Sequence, residues 1–430
     1  MRPFPLFGLT RAAANAGIGL GLLGTALRAR GELGLGLGEL VRFLRSQLVL
    51  AQGLRQHKHV LFRGRVFTDV FAPHWPSRAF NQMMSAYAGQ QRDFVAYAIL
   101  AVTRRCIYRC EHCYAIHTLG SHDPLSRDKL LQLVRQLMQI GVGVLSLEGG
   151  EPLLRLDDLL ALLHEVGDRA NPFIATTGHG LTRERARALS QAGLIGAQVS
   201  LDHHDRRRHN AFRRNDRAFD VACEAVGLLR EAGVFPVLAL CATPELVQSG
   251  GLHRYLDLAR ELGAGMVQML DPMPSGCYLE GSAGEQVLTP ALLEELKRFH
   301  VEANTSWRYR NHPAVSVRAH VEDDCRFGCG MGGNQHFYVD ACGNVTPCVY
   351  LALSVGNVLQ EDLLSIFGRM RAQLPRPMGG FCPVYELAPA IAARARAGEA
   401  LPLSPRSTAE LIQPLSRRGL PRLFARAMRR

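Results

Sequence analysis

Six apolar, strand-like runs separated by amphipathic helical stretches predict an α/β chain. Three closely spaced cysteines follow the first run directly, and a second cysteine-rich stretch lies nearer the C-terminus. The expected architecture is a partial (β/α)6 TIM-like barrel with a small C-terminal cysteine-rich α+β extension and a helical N-terminal region. The runs are FVAYAILAV, GVGVLSL, PFIATT, IGAQVSL, VFPVLALC and GMVQML. Between them fall SRDKLLQLVRQLMQI, LDDLLALLHEV, TRERARALSQAG, AFDVACEAVGLLREAG and LHRYLDLARELG. This rhythm implies βαβ units and a parallel sheet, with chemistry where strands end and loops begin.

The organisation expected along the chain follows from composition. Residues 1–58 form a basic, amphipathic, helical region, with apolar Leu40, Val41, Phe43, Leu44, Leu48 and Leu50 among arginines. Residues 59–95 form a short lead-in strand and helix, 96–305 the barrel, 306–390 the cysteine-rich extension and 391–430 a basic tail.

The 430 residues are 47% hydrophobic and 20% charged, which excludes widespread disorder. A net charge of +12 favours an anionic partner without choosing among phosphate, membrane and nucleic acid. Eleven cysteines, an odd number, do not make a closed disulfide framework. The Gly-rich apolar run at 13–27 lacks a cleavage pattern and is shorter than a spanning helix. The chain is therefore expected to be cytoplasmic, where clustered thiols mean metal or redox chemistry.

Cys106, Cys110 and Cys113 stand in AVTRRCIYRCEHCYA, after the first barrel strand. Three thiolates on one tight loop would leave one iron of a four-iron cluster open to a chelating substrate. The competing reading is zinc, with His112 or His117 as fourth ligand.

Here the sequence resembles the radical SAM superfamily, whose signature is C-x3-C-x2-C at this place in the barrel, with an aromatic residue, here His112, before the third cysteine. The resemblance implies a [4Fe-4S] cluster on Cys106, Cys110 and Cys113 that cleaves S-adenosylmethionine to a 5′-deoxyadenosyl radical. Gly149, Gly150, Glu151 and Pro152 follow the second strand and resemble the GGEP motif that binds the methionyl amino group. Glycines allow close backbone approach, and carbonyls with a carboxylate suit an ammonium. A simple turn before a helix is the bland alternative. Thr176, Thr177 and Gly178 close the third strand, and Ser200 and Asp202 end the fourth, resembling the segment that reaches the ribose and carboxylate of the ligand. Arg206, Arg207, Arg208, Arg213 and Arg214 follow, facing an anionic ligand or forming a solvated basic loop. Cys223 and Cys241 read as buried apolar thiols, and Cys277 as incidental.

The stretch CRFGCGMGGNQHFYVDACGNVTPC resembles the opening of the SPASM and Twitch extensions of this superfamily through Cys329, Gly343 and Cys348. Only Cys382 follows, so one auxiliary cluster is implied, on Cys325, Cys329, Cys348 and Cys382, with Cys342 ranked fifth. A four-thiolate zinc site is the alternative.

The implied function is reductive cleavage of S-adenosylmethionine followed by hydrogen abstraction from a peptide or a membrane-associated lipid. Its electrons come from an external one-electron donor such as flavodoxin or ferredoxin. The basic ends of the chain suit a peripheral contact with the anionic inner membrane surface. Nucleic acid is not an expected partner, for want of aromatic–basic interleaving. Two alternatives stay open: a non-catalytic iron–sulfur electron carrier or scaffold on the same fold, and a methyl- or methylthiotransferase, for which no cobalamin module is visible.

Overall fold

The computed structural model describes residues 1–19, 56–87, 94–279 and 286–428. The six expected strands all form: β4 Val95–Thr103, β5 Val142–Gly149, β6 Asn171–Thr176, β7 Gly196–Ser200, β8 Phe235–Cys241 and β9 Met266–Leu270. Each pairs in parallel with the next, as βαβ crossovers require. The sheet then continues past both edges. β10 (Ala314–Val317) adds in parallel to β9, and β11 (His336–Val339) adds in parallel to β4. β12 (Asn344–Thr346) and β13 (Gly356–Asn357) complete an open ten-stranded order. The cysteine-rich segment is thus joined to the barrel through the first strand itself.

β4 shows why these strands are almost wholly apolar. Ala98, Leu100 and Val102 pack outward under the helices, while Tyr97, Ile99 and Ala101 pack inward. Between β4 and β5, helix α1 (Arg127–Ile140) is capped at its start by Ser126, whose hydroxyl accepts from Lys129 N at 3.2 Å. It stops at Gly141, held in the left-handed region at φ 85° with its N–H on Leu137 and Met138 carbonyls.

The lead-in segment is a hairpin rather than one strand. β2 (His59–Phe62) and β3 (Arg65–Phe67) pair with each other and with β1 (Phe4–Leu6). Phe67 stacks on Phe235 at 3.8 Å between centroids, and Val60 and Phe62 are buried beside Phe173. Phe235 begins β8 and Phe173 lies near the start of β6, so this hairpin plugs the barrel end opposite the catalytic loops. Of the expected N-terminal helix, residues 9–19 are helical, and the amphipathic stretch at 40–50 lies outside the described residues.

Residues 391–428 are not a loose tail. Ile391, Ala392, Leu403, Ile412 and Leu415 are buried in one core with Cys329 and Cys348. Among the described residues no helix is long and apolar enough to cross a membrane.

Three buried histidines tie the lead-in to the barrel edge. His57 lies 4.7 Å from His300, and His300 stacks on His320 at 3.9 Å and 20°. One ring nitrogen from each of the three lies within 4.8 Å of the other two. Burial, reinforced by Arg326, pushes His57 and His320 down to about 3. Their folded pKa lies below the unfolded value of 6.5, so unfolding takes up protons between pH 6.5 and 3 and stability falls as pH falls. Relative to His320→Gln, the wild-type chain is expected to lose about 1.4 kcal/mol per pH unit below 6.5. Urea midpoints of the two proteins at pH 7 and pH 5 check this, and a constant difference would contradict it.

Candidate active site

The cysteine loop begins at a pinned strand end. Thr103 donates its hydroxyl to Asp123 at 2.9 Å, and Arg104 N donates to the same carboxylate at 2.7 Å. The loop then turns on itself, with Cys113 N on Cys110 O at 3.3 Å and Tyr108 N on the Cys106 sulfur at 3.4 Å. Cys106, Cys110 and Cys113 all line one large cavity at the C-terminal ends of the strands. Burial raises the Cys106 thiol and pushes Cys113 up to about 12, while Arg213 stands 3.6 Å from the Cys110 sulfur.

Spacing separates the two metals. Zinc at about 2.3 Å from each sulfur draws thiolates to about 3.8 Å of one another. The three sulfurs do not all lie within 4.8 Å of each other, whereas a cluster spreads its thiolates over separate irons. The His112 ring stacks on Phe212 at 4.6 Å and 13°. Burial and Arg213 lower it to about 4, leaving a neutral plate on the cavity wall.

The Gly149–Gly150 turn docks on the chain leading into Cys106. Gly150 N donates to Thr103 O and Glu151 N to Arg105 O, both at 2.8 Å. A Cβ on Gly150 would stand 2.1 Å from Arg105 O, and one on Gly149 2.4 Å from Thr103 O. Both glycines line the cavity. Glu151 differs from its expected role. It is fully buried, and its carboxylate accepts from Thr176 Oγ1 at 2.6 Å, Thr177 N at 2.7 Å, Thr177 Oγ1 at 2.6 Å and Leu153 N at 3.1 Å. A carboxylate so occupied fixes the turn to the end of β6, leaving the backbone of Gly149 and Gly150 to face a ligand. Pro152 starts the short helical turn that follows.

Ser200 and Asp202 line the cavity at the end of β7. Asp202 accepts from Arg213 Nε at 2.5 Å and from Cys241 N at 3.0 Å. Burial alone would raise its pKa, but Arg213, His112 and His209 outweigh that and hold it at about 2. Helix α2 (Arg206–Arg213), capped by Asp205, explains the choice of arginine. Its His209 and Arg213 are one turn apart and both buried toward Asp202, while Arg206 and Arg208 pair with Asp220 and Glu245 at the surface.

Cys277, read as incidental, stands beside the triplet. Its N–H donates to Cys113 O at 3.1 Å, and its sulfur lies 3.9 Å from Cys110 O. Gly276 makes that approach feasible: at φ 55°, its Cβ would meet Cys113 O at 2.2 Å. Gly276→Ala is expected to displace the Cys113 carbonyl, and to destabilise the loop by about 1–3 kcal/mol. A lower thermal midpoint and reduced iron after reconstitution check this; unchanged values for both would contradict it.

The second cysteine group comes together only in part. Cys329, Cys348 and Cys382 line the far side of the same cavity, and burial raises all three thiols. Cys329 pairs through its backbone with Met378, and Cys382 immediately precedes the helix Pro383–Arg396. Cys325 does not join them. It is exposed, its sulfur is 3.9 Å from Arg422, and it does not line the cavity. Cys342 sits on the β11–β12 turn with its sulfur 3.9 Å from Thr118 O, also outside the cavity lining. Between the two cysteine groups lies a buried ionic network that sequence spacing did not signal. Arg318 donates to Asp271 at 2.9 Å and to Glu322 at 2.6 Å, and Tyr385 donates to Asp271 at 3.0 Å.

Residues 100–243 match the radical SAM superfamily, and residues 329–382 match SPASM, an iron–sulfur cluster-binding domain. The second match begins at Cys329 and ends at Cys382. The AdoMet-dependent heme synthase of Nitratidesulfovibrio vulgaris is 27% identical over 60% of this chain and 74% of its own. The PqqA peptide cyclase of Streptomyces rochei is 27% identical over 64% of this chain and 76% of its own. The crystal structure of Streptococcus suis SuiB bound to S-adenosylmethionine superposes with a TM-score of 0.53 at 15% identity, covering 69% of this chain and 73% of SuiB, a likeness of fold. The first match implies a [4Fe-4S] cluster with S-adenosylmethionine, and the second implies further iron–sulfur binding. The cysteine loop, the docked glycine turn and the C-terminal cysteines thus stand where both matches fall: the chain carries a radical SAM domain over residues 100–243 and a SPASM domain over residues 329–382.

Proposed function

We propose that this protein reductively cleaves S-adenosylmethionine on a cluster held by Cys106, Cys110 and Cys113 and turns the resulting carbon radical on a peptide substrate. The observation that carries the reading is a single cavity lined by that triplet at one side and by Cys329, Cys348 and Cys382 at the other. When bound, the cluster supplies one electron to the sulfonium, and an external donor such as flavodoxin or ferredoxin replenishes it. The chain's own residues do the rest. The Gly149–Gly150 backbone holds the methionyl end, Ser200 and the Asp202–Arg213 pair hold the polar remainder, and the apolar walls exclude water from the radical. A peptide is favoured over a lipid by the similarity to a peptide cyclase.

We assign the auxiliary site to Cys329, Cys348 and Cys382, with Cys325 outside it. Anaerobic reconstitution with iron and sulfide counting tests both sites. About eight irons per chain are expected, and about four would leave the C-terminal site to another metal. Cys382→Ala should remove about four irons and Cys325→Ala none. The reverse pattern would overturn the ligand set.

A further inference from the structure

Inside the cavity a second polar set ties Tyr114, which follows Cys113, to the end of β5 and reaches on toward β7. Glu148, buried on β5, accepts from Ser146 Oγ at 2.7 Å, Tyr114 Oη at 2.8 Å and Tyr97 Oη at 3.4 Å. Burial pushes the Glu148 carboxyl up while these three donors pull it back down; ionised, it has about four acceptor positions, so the three donors leave one open. Gln198 Nε2 donates to the Tyr97 hydroxyl at 3.2 Å. Gln268 is 3% exposed, and its Oε1 is buried with no hydrogen-bond partner. Glu148, Gln198 and Gln268 all line the cavity.

Charge decides what such a place can receive. The cavity lining carries four carboxylates, Glu148, Asp202, Asp271 and Glu322, against two guanidiniums, Arg213 and Arg318. Both guanidiniums are committed, Arg213 to Asp202 and Arg318 to Asp271 and Glu322. Among the described residues Glu148 has no ion pair. A buried carboxylate without a cation and a buried amide oxygen without a donor are both costly. An N–H donor answers the amide oxygen, and one that carries positive charge answers the carboxylate as well. The net charge of +12 would draw anions to the exterior, but the cavity has no uncommitted cation to receive them.

We propose that Glu148, with Gln268, forms the subsite that receives a cationic N–H donor of the substrate, a primary ammonium of an amine or peptide, and that it rejects anionic substrates. This rests on the function proposed above and names the charge of its substrate.

The test is calorimetric titration of the anaerobically reconstituted protein, saturated with S-adenosylmethionine and unreduced, using two probes of matched apolar body. These are phenethylammonium and 3-phenylpropionate. The cation is expected to bind at least about tenfold tighter, and Glu148→Gln to cut that preference below about threefold. Equal binding, a preference for the anion, or no binding of the cation overturns the proposal on the wild-type protein alone. So does a preference that survives in Glu148→Gln. Cation binding seen without S-adenosylmethionine and lost with it would assign Glu148 to that cofactor and equally overturn the proposal. The same preparation, reduced with dithionite, is assayed for 5′-deoxyadenosine. Its absence sinks the radical reading, while the probe preference stands or falls by itself.

Discussion

Replacing Cys106, Cys110 or Cys113 by Ala is expected to abolish cleavage of S-adenosylmethionine and to remove about four irons per chain. The three sulfurs are spaced too widely for one shared ion, and all face the cavity. With two thiolates left, two irons rather than one would lack a protein ligand, and the specific open site would be lost. Each variant should keep the folded barrel, because the three cysteines are only partly buried and lie on a loop outside the main core. The measurement is iron content with deoxyadenosine yield for each variant beside a circular dichroism spectrum. A variant that keeps cleaving would remove its cysteine from the ligand set.

Arg213→Met should be the most destabilising single change at the site, by about 3–5 kcal/mol. It would strand the Asp202 carboxylate, which is buried and takes its shortest hydrogen bond from Arg213 Nε at 2.5 Å. The cost comes from the charge left behind, so Asp202→Asn combined with Arg213→Met should recover part of it, and Arg213→Lys less. The sign with pH follows from the depressed Asp202. Its folded pKa of about 2 lies below the ordinary 3.8 of an aspartate, so its contribution is full above 3.8 and fades as pH falls toward 2. Urea midpoints for the single and double variants at pH 7 check this. A loss below about 1 kcal/mol in Arg213→Met would show that Asp202 finds other partners.

Much of the barrel was legible because each strand is a local pattern. β4 to β9 are apolar runs of five to nine residues bounded by amphipathic helices, and nothing distant is needed to see them. AVSV and HFYV were missed because short runs inside a cysteine-rich segment do not reveal their partners. Only tertiary pairing shows that β11 closes on β4. The triplet and the glycine turn were legible from spacing. The work of Glu151 was not, since an acid after two glycines gives no sign that Thr176 and Thr177 will occupy it. Arg213 was one of five arginines in view, though its place four residues after His209 on a short helix marks the face that turns inward. Cys325 looked like a ligand because it is near Cys329 in sequence. The chain between them instead turns Cys325 to the surface and Cys329 into the core. Residues 391–428 read as a tail because their buried side chains are scattered among arginines, and their partners lie in the preceding segment.

The central claim is that this cavity makes a carbon radical from S-adenosylmethionine. The most direct measurement is 5′-deoxyadenosine formed by the anaerobically reconstituted protein with S-adenosylmethionine and dithionite, with Cys110→Ala treated identically. Deoxyadenosine from the wild type and none above background from the variant is the predicted result. A fully iron-loaded wild-type protein that yields none would contradict the account and leave an iron–sulfur electron carrier on the same fold.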